Sequence, residues 1–339
     1  MHSFDRLKYE KFRDRIIGRR AEDVEAMKGR LKVPADLQLI VASYIVPVPM
    51  KMSDWVDVDT ISGDPWLSTN PAAVDFLKAN PDKIDWLRLS SNPNPTAVDL
   101  LRANPDKIKW EWLSDNPAAV DLLREYPTKI KWYELSKNPA AIDLLREHPD
   151  KIFWATLSAN PAAVDLFKET PHKIHWHGLS SNPNPAAIAF FKRYWREFDW
   201  KRLSSNPGAI AFLREKPDKI CWRELSANPA AVDLLRENKD KIHWAELSTN
   251  PAAMDLLREN RDRIDWMRLS TNPAAMDLLR ENRDRIDWFF LSANPAGGDL
   301  LKANPDKVYH PRLSVNPAIF EEDREAHRRL CEDYVRLHF

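Results

Sequence analysis

The chain has 339 residues, 51 basic and 51 acidic, with 43% hydrophobic residues, two cysteines, and only seven glycines against 26 prolines. Its charges cancel overall and within each stretch of about 22 residues, so no basic stripe forms for a phosphate backbone and nucleic acid is not an expected partner. No apolar run nears the ~20 residues that cross a bilayer, and no glycine-rich loop is present to cradle a nucleotide phosphate.

Residues 1–32 are charged throughout, with ten basic and six acidic side chains, and read as one or two amphipathic helices. They lack the apolar core of a secretory signal, so secretion is not expected. The two cysteines make no spaced framework, which suits a reducing compartment. Residues 33–49, VPADLQLIVASYIVPVP, place Pro34, Leu37, Ile40 and Tyr44 in a short helical pattern. They read as a cap over the first repeat or as an N-terminal docking segment, and residues 1–62 are taken as one unit.

From Trp86 to Trp288 a tryptophan recurs every 22 residues, or 24 in two places, inside the phrase Leu-Ser-x-Asn-Pro-Ala-Ala-(Val/Ile/Met)-Asp-Leu-Leu-(Arg/Lys)-x-Asn-Pro-Asp-(Lys/Arg)-Ile-x-Trp. A fixed period of this length marks a solenoid. Each of the two Asn-Pro steps reads as a helix start, with Asn capping free amides and Pro in the first turn. In the first full unit this predicts helices over 71–79 and 81–89, capped by Asn70 and Asn80. Helices this short are marginal alone in water, so packing between units must hold them. The expectation is an all-α solenoid of about eleven helix-turn-helix repeats over 63–315, an elongated rod or arc on the order of 100 Å long, with helical caps at both ends.

Leu, Asn, Ala and Trp barely change from unit to unit, as befits groups buried between neighbours. The positions beside each Trp vary freely: Asp85 and Leu87, Lys109 and Glu111, Lys131 and Tyr133, Phe153 and Ala155, through Tyr309 and Pro311. Partner specificity is expected there, against the alternative of solvated positions under no constraint. The Asp three residues before an Arg, as in Asp99 and Arg102, reads as a surface ion pair and not as an active-site acid.

The pattern breaks in three places. An extra Asn-Pro at 91–95, and again at 181–185, stretches the Trp interval to 24. Residues 188–198 lose the second Asn-Pro and gain aromatics, so the two helices are expected to run on as one. Phe190, Phe191, Tyr194, Trp195 and the nearby Phe212 either form an exposed patch for a partner or refill a core disturbed by the insertion. Residues 247–266 and 269–288 are the same twenty letters, which favours a spacer or scaffold over an enzyme. Gly297 and Gly298 weaken the last full unit, and 316–339 read as a C-terminal capping helix.

No catalytic, metal or cofactor site is assigned. His172, His175 and His177 sit at variable slots without the further ligands that zinc requires, and neither Cys221 nor Cys331 has an oriented base nearby in sequence.

The unit LSxNPAAVDLLRENPDKIDW resembles the short Asn-Pro and Trp repeats of giant and algal large DNA viruses, across residues 66–317. That resemblance implies a non-enzymatic interaction scaffold, such as a minor structural, capsid-associated protein, in the virion or host cytoplasm, with protein partners and no membrane insertion. Residues 33–45 resemble the opening of an F-box, which implies the alternative of an adaptor that recruits targets to a host ubiquitin ligase through Pro34, Leu37, Ile40 and Tyr44.

Overall fold

The structure, a computed structural model, describes residues 38, 39, 42, 43 and 45–338, the side chains at 60, 190–193 and 338 excepted. The chain forms two compact units, one of residues 52–320 and one of residues 1–51 with 321–339. In the smaller unit, a fifteen-residue helix, Arg324–His338, is preceded by Asp323, whose amide donates to the Pro49 carbonyl at 2.8 Å. Lys51 pairs with Glu321 at 3.2 Å.

The larger unit is an all-α repeat array, as the period predicts. The repeat starts with a 3₁₀ turn, such as Pro71–Ala73, which runs on into a helix, Val74–Ala79. Asn70 caps it as expected, its side-chain oxygen accepting from the Ala72 amide at 3.1 Å. The second predicted helix is not continuous. Pro81–Lys83 is a 3₁₀ turn, Ile84 and Asp85 are extended, and only Trp86–Leu89 makes a further α turn. Asn80 does not cap this segment. Its amide donates back to the Phe76 carbonyl at 2.8 Å, so it closes the helix before it. The same backward bond recurs at Asn104, Asn238, Asn260, Asn282 and Asn304.

Two side-chain ladders join the units. In the repeats that carry a Trp, the Ser of the Leu-Ser step accepts the amide of the residue before the next Trp (or before its counterpart), as in Lys109 to Ser90 at 3.0 Å, and donates to the carbonyl of its own Trp, as in Ser90 to Trp86 at 2.7 Å. Each Asn that follows donates to the Ser carbonyl of the preceding repeat, as in Asn160 to Ser136 at 3.2 Å and Asn182 to Ser158 at 3.1 Å. These Asn side chains are at most 3% exposed. Burying amides this fully is tolerable because every polar atom finds a partner.

Numbering the repeats by this Asn, from Asn70 in repeat 1 to Asn316 in repeat 12, gives twelve rungs among the described residues. The first rung meets the last: Asn70 donates to the carbonyls of Ser314 at 3.1 Å and Asn316 at 3.2 Å. The array is therefore a closed ring of twelve repeats and not an open rod of about eleven. The length expected for the rod, on the order of 100 Å, becomes the circumference, since twelve helices packed ~8–10 Å apart measure roughly 100–120 Å around. Repeats 1 and 12 cover each other's cores, with Phe76 and Phe320 ring centroids 6.5 Å apart. At the seam Asp64 replaces the Trp of repeat 1, and its carboxylate accepts from the Ser314 hydroxyl at 2.8 Å.

Neighbouring Pro-Ala-Ala turns lie against one another, as do several neighbouring Trp helices, such as Trp200–Ser205 with Trp222–Ser226, more closely than neighbouring Pro-Asp-Lys turns do. In a closed ring, elements that crowd lie near the axis and elements that spread lie at the rim. The Pro-Ala-Ala turns and the Trp helices therefore lie toward the axis and the Pro-Asp-Lys turns toward the rim. Repeated Arg-Glu pairs bridge neighbouring long helices, such as Arg124 with Glu147 at 2.9 Å and Arg214 with Glu237 at 2.7 Å.

Candidate interaction face

Within a Trp helix the Leu and Ser three and four positions after the Trp are fully buried, which turns the positions one and two after it to solvent. Together with the position before the Trp they form a continuous row around the ring. The Tyr133 ring of repeat 4 meets Phe153 of repeat 5 edge-on at 5.6 Å, and Phe289 of repeat 11 meets Tyr309 of repeat 12 at 4.9 Å. The ten tryptophans themselves are half-buried packing posts. Several carry the cation of the next Pro-Asp-Lys-type turn over the indole, as Lys241 does over Trp222 at 4.8 Å.

The row is not uniform. Trp66, Trp112, Tyr133, Phe153, Phe289 and Tyr309 are 42–51% exposed, and the aliphatic Leu87 and Met267 of the same row are 36% and 47% exposed. In sequence they sit at opposite ends of the array. Ring closure brings them onto one arc, from repeat 10 through 11, 12 and 1 to repeat 5, with the rings on repeats 11, 12, 1, 3, 4 and 5. The remaining repeats carry mostly charges in the same positions: Lys201 with Glu224 at 3.5 Å and Arg223 with Glu246 at 3.1 Å, the same Glu246 also meeting Arg268 of repeat 10 at 2.8 Å. Half-buried cations lie over rings on the aromatic arc, Arg88 over Trp66 at 4.0 Å and Arg312 over Phe289 at 4.5 Å.

A cleft of about 370 Å³ opens in this arc between repeats 3 and 4, walled by Trp112 with Glu111, Asp115, Glu134 and Lys137. Burial holds the Asp115 carboxyl above the ordinary aspartate range, with Lys137 pulling the other way. The Lys137 ammonium is raised by its hydrogen bond to Glu134.

The residues singled out at the sequence break fall elsewhere. Pro185–Phe191 is α-helix and Lys192–Glu197 is 3₁₀, with a kink at Tyr194 (φ −94°, ψ 27°), so the two helices do not run on as one α-helix. Tyr194 stands at the second-Asn slot and packs on Trp176 at 5.1 Å, as Tyr126 packs on Trp110 and His148 on Trp132. Trp195 is half-buried against Trp200 at 6.3 Å, with Lys216 4.9 Å from its ring. Phe212 is buried, stacked on Trp200 at 5.7 Å, and is not a surface residue. Trp195 and Phe212 therefore pack within the repeat array, whereas Tyr194 rests on Trp176 and is 39% exposed. The side chains of Phe190 and Phe191, and Pro34, Leu37, Ile40 and Tyr44, lie outside the described residues.

The added Asn94 and Asn184 do more than lengthen a loop. Each makes an extra rung to the preceding repeat, donating to the carbonyls of Pro71 at 2.7 Å and Pro161 at 2.9 Å.

His172, His175 and His177 are exposed, and His177 faces Asp199 at 3.1 Å. Burial pushes the Cys221 thiol up, with Glu224 adding to the effect. Among the described residues no group of three or more His, Cys, Asp and Glu side chains could hold a metal ion, and no helix is long and apolar enough to cross a membrane.

Set against protein-family models, curated proteins and solved structures, the chain matches none.

Proposed function

We propose that the ring is a non-enzymatic docking platform whose row of Trp-helix side chains binds protein through the aromatic arc. The observation that carries this reading is the segregation of exposed rings onto one arc of a scaffold that is otherwise repeated. Six rings at about half exposure, each worth 150–250 Å² in full, present roughly 600 Å² of apolar surface. That reaches the upper end of the largest patch on an ordinary monomer and is most of the ~800 Å² that each partner contributes to a standard interface. The balanced charge of the row argues for protein over nucleic acid.

The resemblance of the repeat to those of large DNA viruses gives the reading its first specific form, a minor structural component associated with a capsid.

A photo-cross-linking residue placed at Trp112 or Phe289 tests the reading, with a control at Arg124 on a long helix. Protein adducts from the first two positions, lost when Trp66 and Tyr309 are both changed to Ser, support it. Adducts only from Arg124 would sink it.

A further inference from the structure

Twice along the row an arginine covers a ring of the repeat before it. Arg88 lies 4.0 Å from the Trp66 ring, and Arg312 lies 5.3 Å from the Phe290 ring. In both cases the cation stands 22 residues after the ring, in the same slot of the next repeat. Trp112 occupies that slot in repeat 3, but the residue 22 positions on is Glu134. The Trp112 side chain is 49% exposed, and among the described residues no cation lies over its indole.

What surrounds the uncovered indole is acidic. Glu111, Asp115 and Glu134 wall the same cleft of about 370 Å³ against a single cation, Lys137. That lysine is already engaged, hydrogen-bonded to Glu134 and 4.6 Å from the Tyr133 ring. Among the described residues the carboxylates of Glu111 and Asp115 have no hydrogen bond and no cation in ion-pair contact, Lys137 acting on Asp115 only at a distance. Elsewhere in the row Glu224 has Lys201, and Glu246 has Arg223 and Arg268. The cleft therefore sets a bare ring beside two uncompensated carboxylates, and burial makes the Asp115 charge costly until a cation arrives.

We propose that this cleft is an arginine pocket: it takes a guanidinium of the docked protein, face down on the Trp112 indole with its edge toward Glu111 and Asp115. This rests on the docking-platform reading and names the chemistry recognised at one point of it. A metal ion does not fit, since no group of three or more His, Cys, Asp and Glu side chains among the described residues could hold one. A guanidinium suits the cleft better than an ammonium, because its flat, weakly hydrated face stacks on a ring while its N–H fork reaches carboxylates at the edge. The volume lies near the bottom of the range for ligand sites, about 300–1,000 Å³, which matches one side-chain head group.

Fluorine NMR of the full chain labelled with fluorotryptophan tests this, the Trp112 signal being assigned by its loss in Trp112→Phe. The probe is the acetylated, amidated tripeptide Gly-Arg-Gly, beside its lysine and citrulline counterparts. The Arg peptide should shift the Trp112 signal saturably in the millimolar range, the Lys peptide should bind on the order of 5–10-fold more weakly, and the neutral citrulline peptide should leave the signal in place. Glu111→Gln combined with Asp115→Asn keeps the shape of the cleft and should weaken the Arg peptide at least about 10-fold. Glu134→Arg supplies the cation that Trp66 and Phe290 already have, so it should move the Trp112 signal without peptide and abolish binding. Circular dichroism of each variant confirms that the substitutions leave the ring folded. A Trp112 signal that the Arg peptide does not move, a lysine or citrulline peptide that binds as well, or binding unchanged by neutralising the two acids overturns the pocket. Protein adducts from Trp112 in a chain that takes no Arg peptide overturn the pocket and leave the platform reading standing. Specific binding of the Arg peptide without protein adducts from Trp112 or Phe289 overturns the platform and leaves the pocket chemistry in place.

Discussion

The side-chain amide of Asn70 donates to the Ser314 carbonyl at 3.1 Å across 244 residues of sequence. This bond has the same geometry as the bonds between sequence neighbours, so the seam is one more rung and not a special clasp. Twelve equal steps divide a full turn into about 30° each, and the hairpin geometry sets that step. The copied unit at 247–266 and 269–288 thereby has a physical role: it completes the count. Deleting residues 247–268 should leave eleven repeats that cannot close without about 3° of added bend per step. The expected result is an open array with repeats 1 and 12 exposed, seen as a lower midpoint in thermal melts and as new proteolytic cleavage near 64 and 314. A deletion variant as stable and as protease-resistant as the parent would show that closure is not set by repeat number.

The two Asn positions of the unit have unequal roles. The first caps a helix and bridges to the previous repeat, as Asn160 does to Ser136 and Asn138. The second makes one backward bond in a half-exposed site, as Asn260 does to Leu256 at 2.8 Å. Asn160→Ala orphans buried carbonyls and removes a cap, and should cost about 2–4 kcal/mol. Asn260→Ala should cost about 0.5–1.5 kcal/mol. Urea unfolding of both variants decides the matter, and equal losses would contradict the assignment.

This inequality was legible in the sequence. The first slot is Asn in all twelve units, whereas the second holds Tyr126, His148, Thr170, Tyr194 and Lys216 in others. Its meaning was not legible, because an Asn that caps forward and one that caps backward share the same Asn-Pro letters. The helix period, the packing role of Trp and the variability beside it were all readable, since each is local. Ring closure was not: it depends on a small angle per repeat that no single unit displays. For the same reason Trp66 and Phe289 looked like opposite ends of an array, and the contiguous arc they share went unseen. The break at 188–198 stood out as a sequence irregularity, yet Tyr194 fills the slot that Tyr126 fills elsewhere, so the irregularity is largely a repair.

That repair is testable. Tyr194→Ala removes a ring from Trp176 and should lower stability by about 1–2 kcal/mol, while Tyr194→His, the residue used at position 148, should restore much of the loss. Neither change should alter cross-linking from Trp112. Lost cross-linking with unchanged stability would return position 194 to the candidate interface.

The carboxyl of Asp115 offers a pH signature for the cleft. Its folded-state pKa lies above the ordinary aspartate value because burial penalises the charge more than Lys137 relieves it. An acid raised by folding binds its proton more tightly in the folded state than in the unfolded one. Below the ordinary aspartate pKa both states are protonated and there is no penalty. As pH rises from that value to the raised one, the unfolded chain ionises first and stability falls. Above the raised value the penalty is constant. Asp115→Asn removes the ionisation and should be more stable than the parent at neutral pH, with the advantage vanishing in acid below the ordinary aspartate range. Urea unfolding of parent and variant from pH 3 to pH 7 measures the difference directly. A variant that loses stability at neutral pH would mean that the Asp115 carboxylate, as a charge, is held favourably by Lys137, and that burial is not the dominant influence on it.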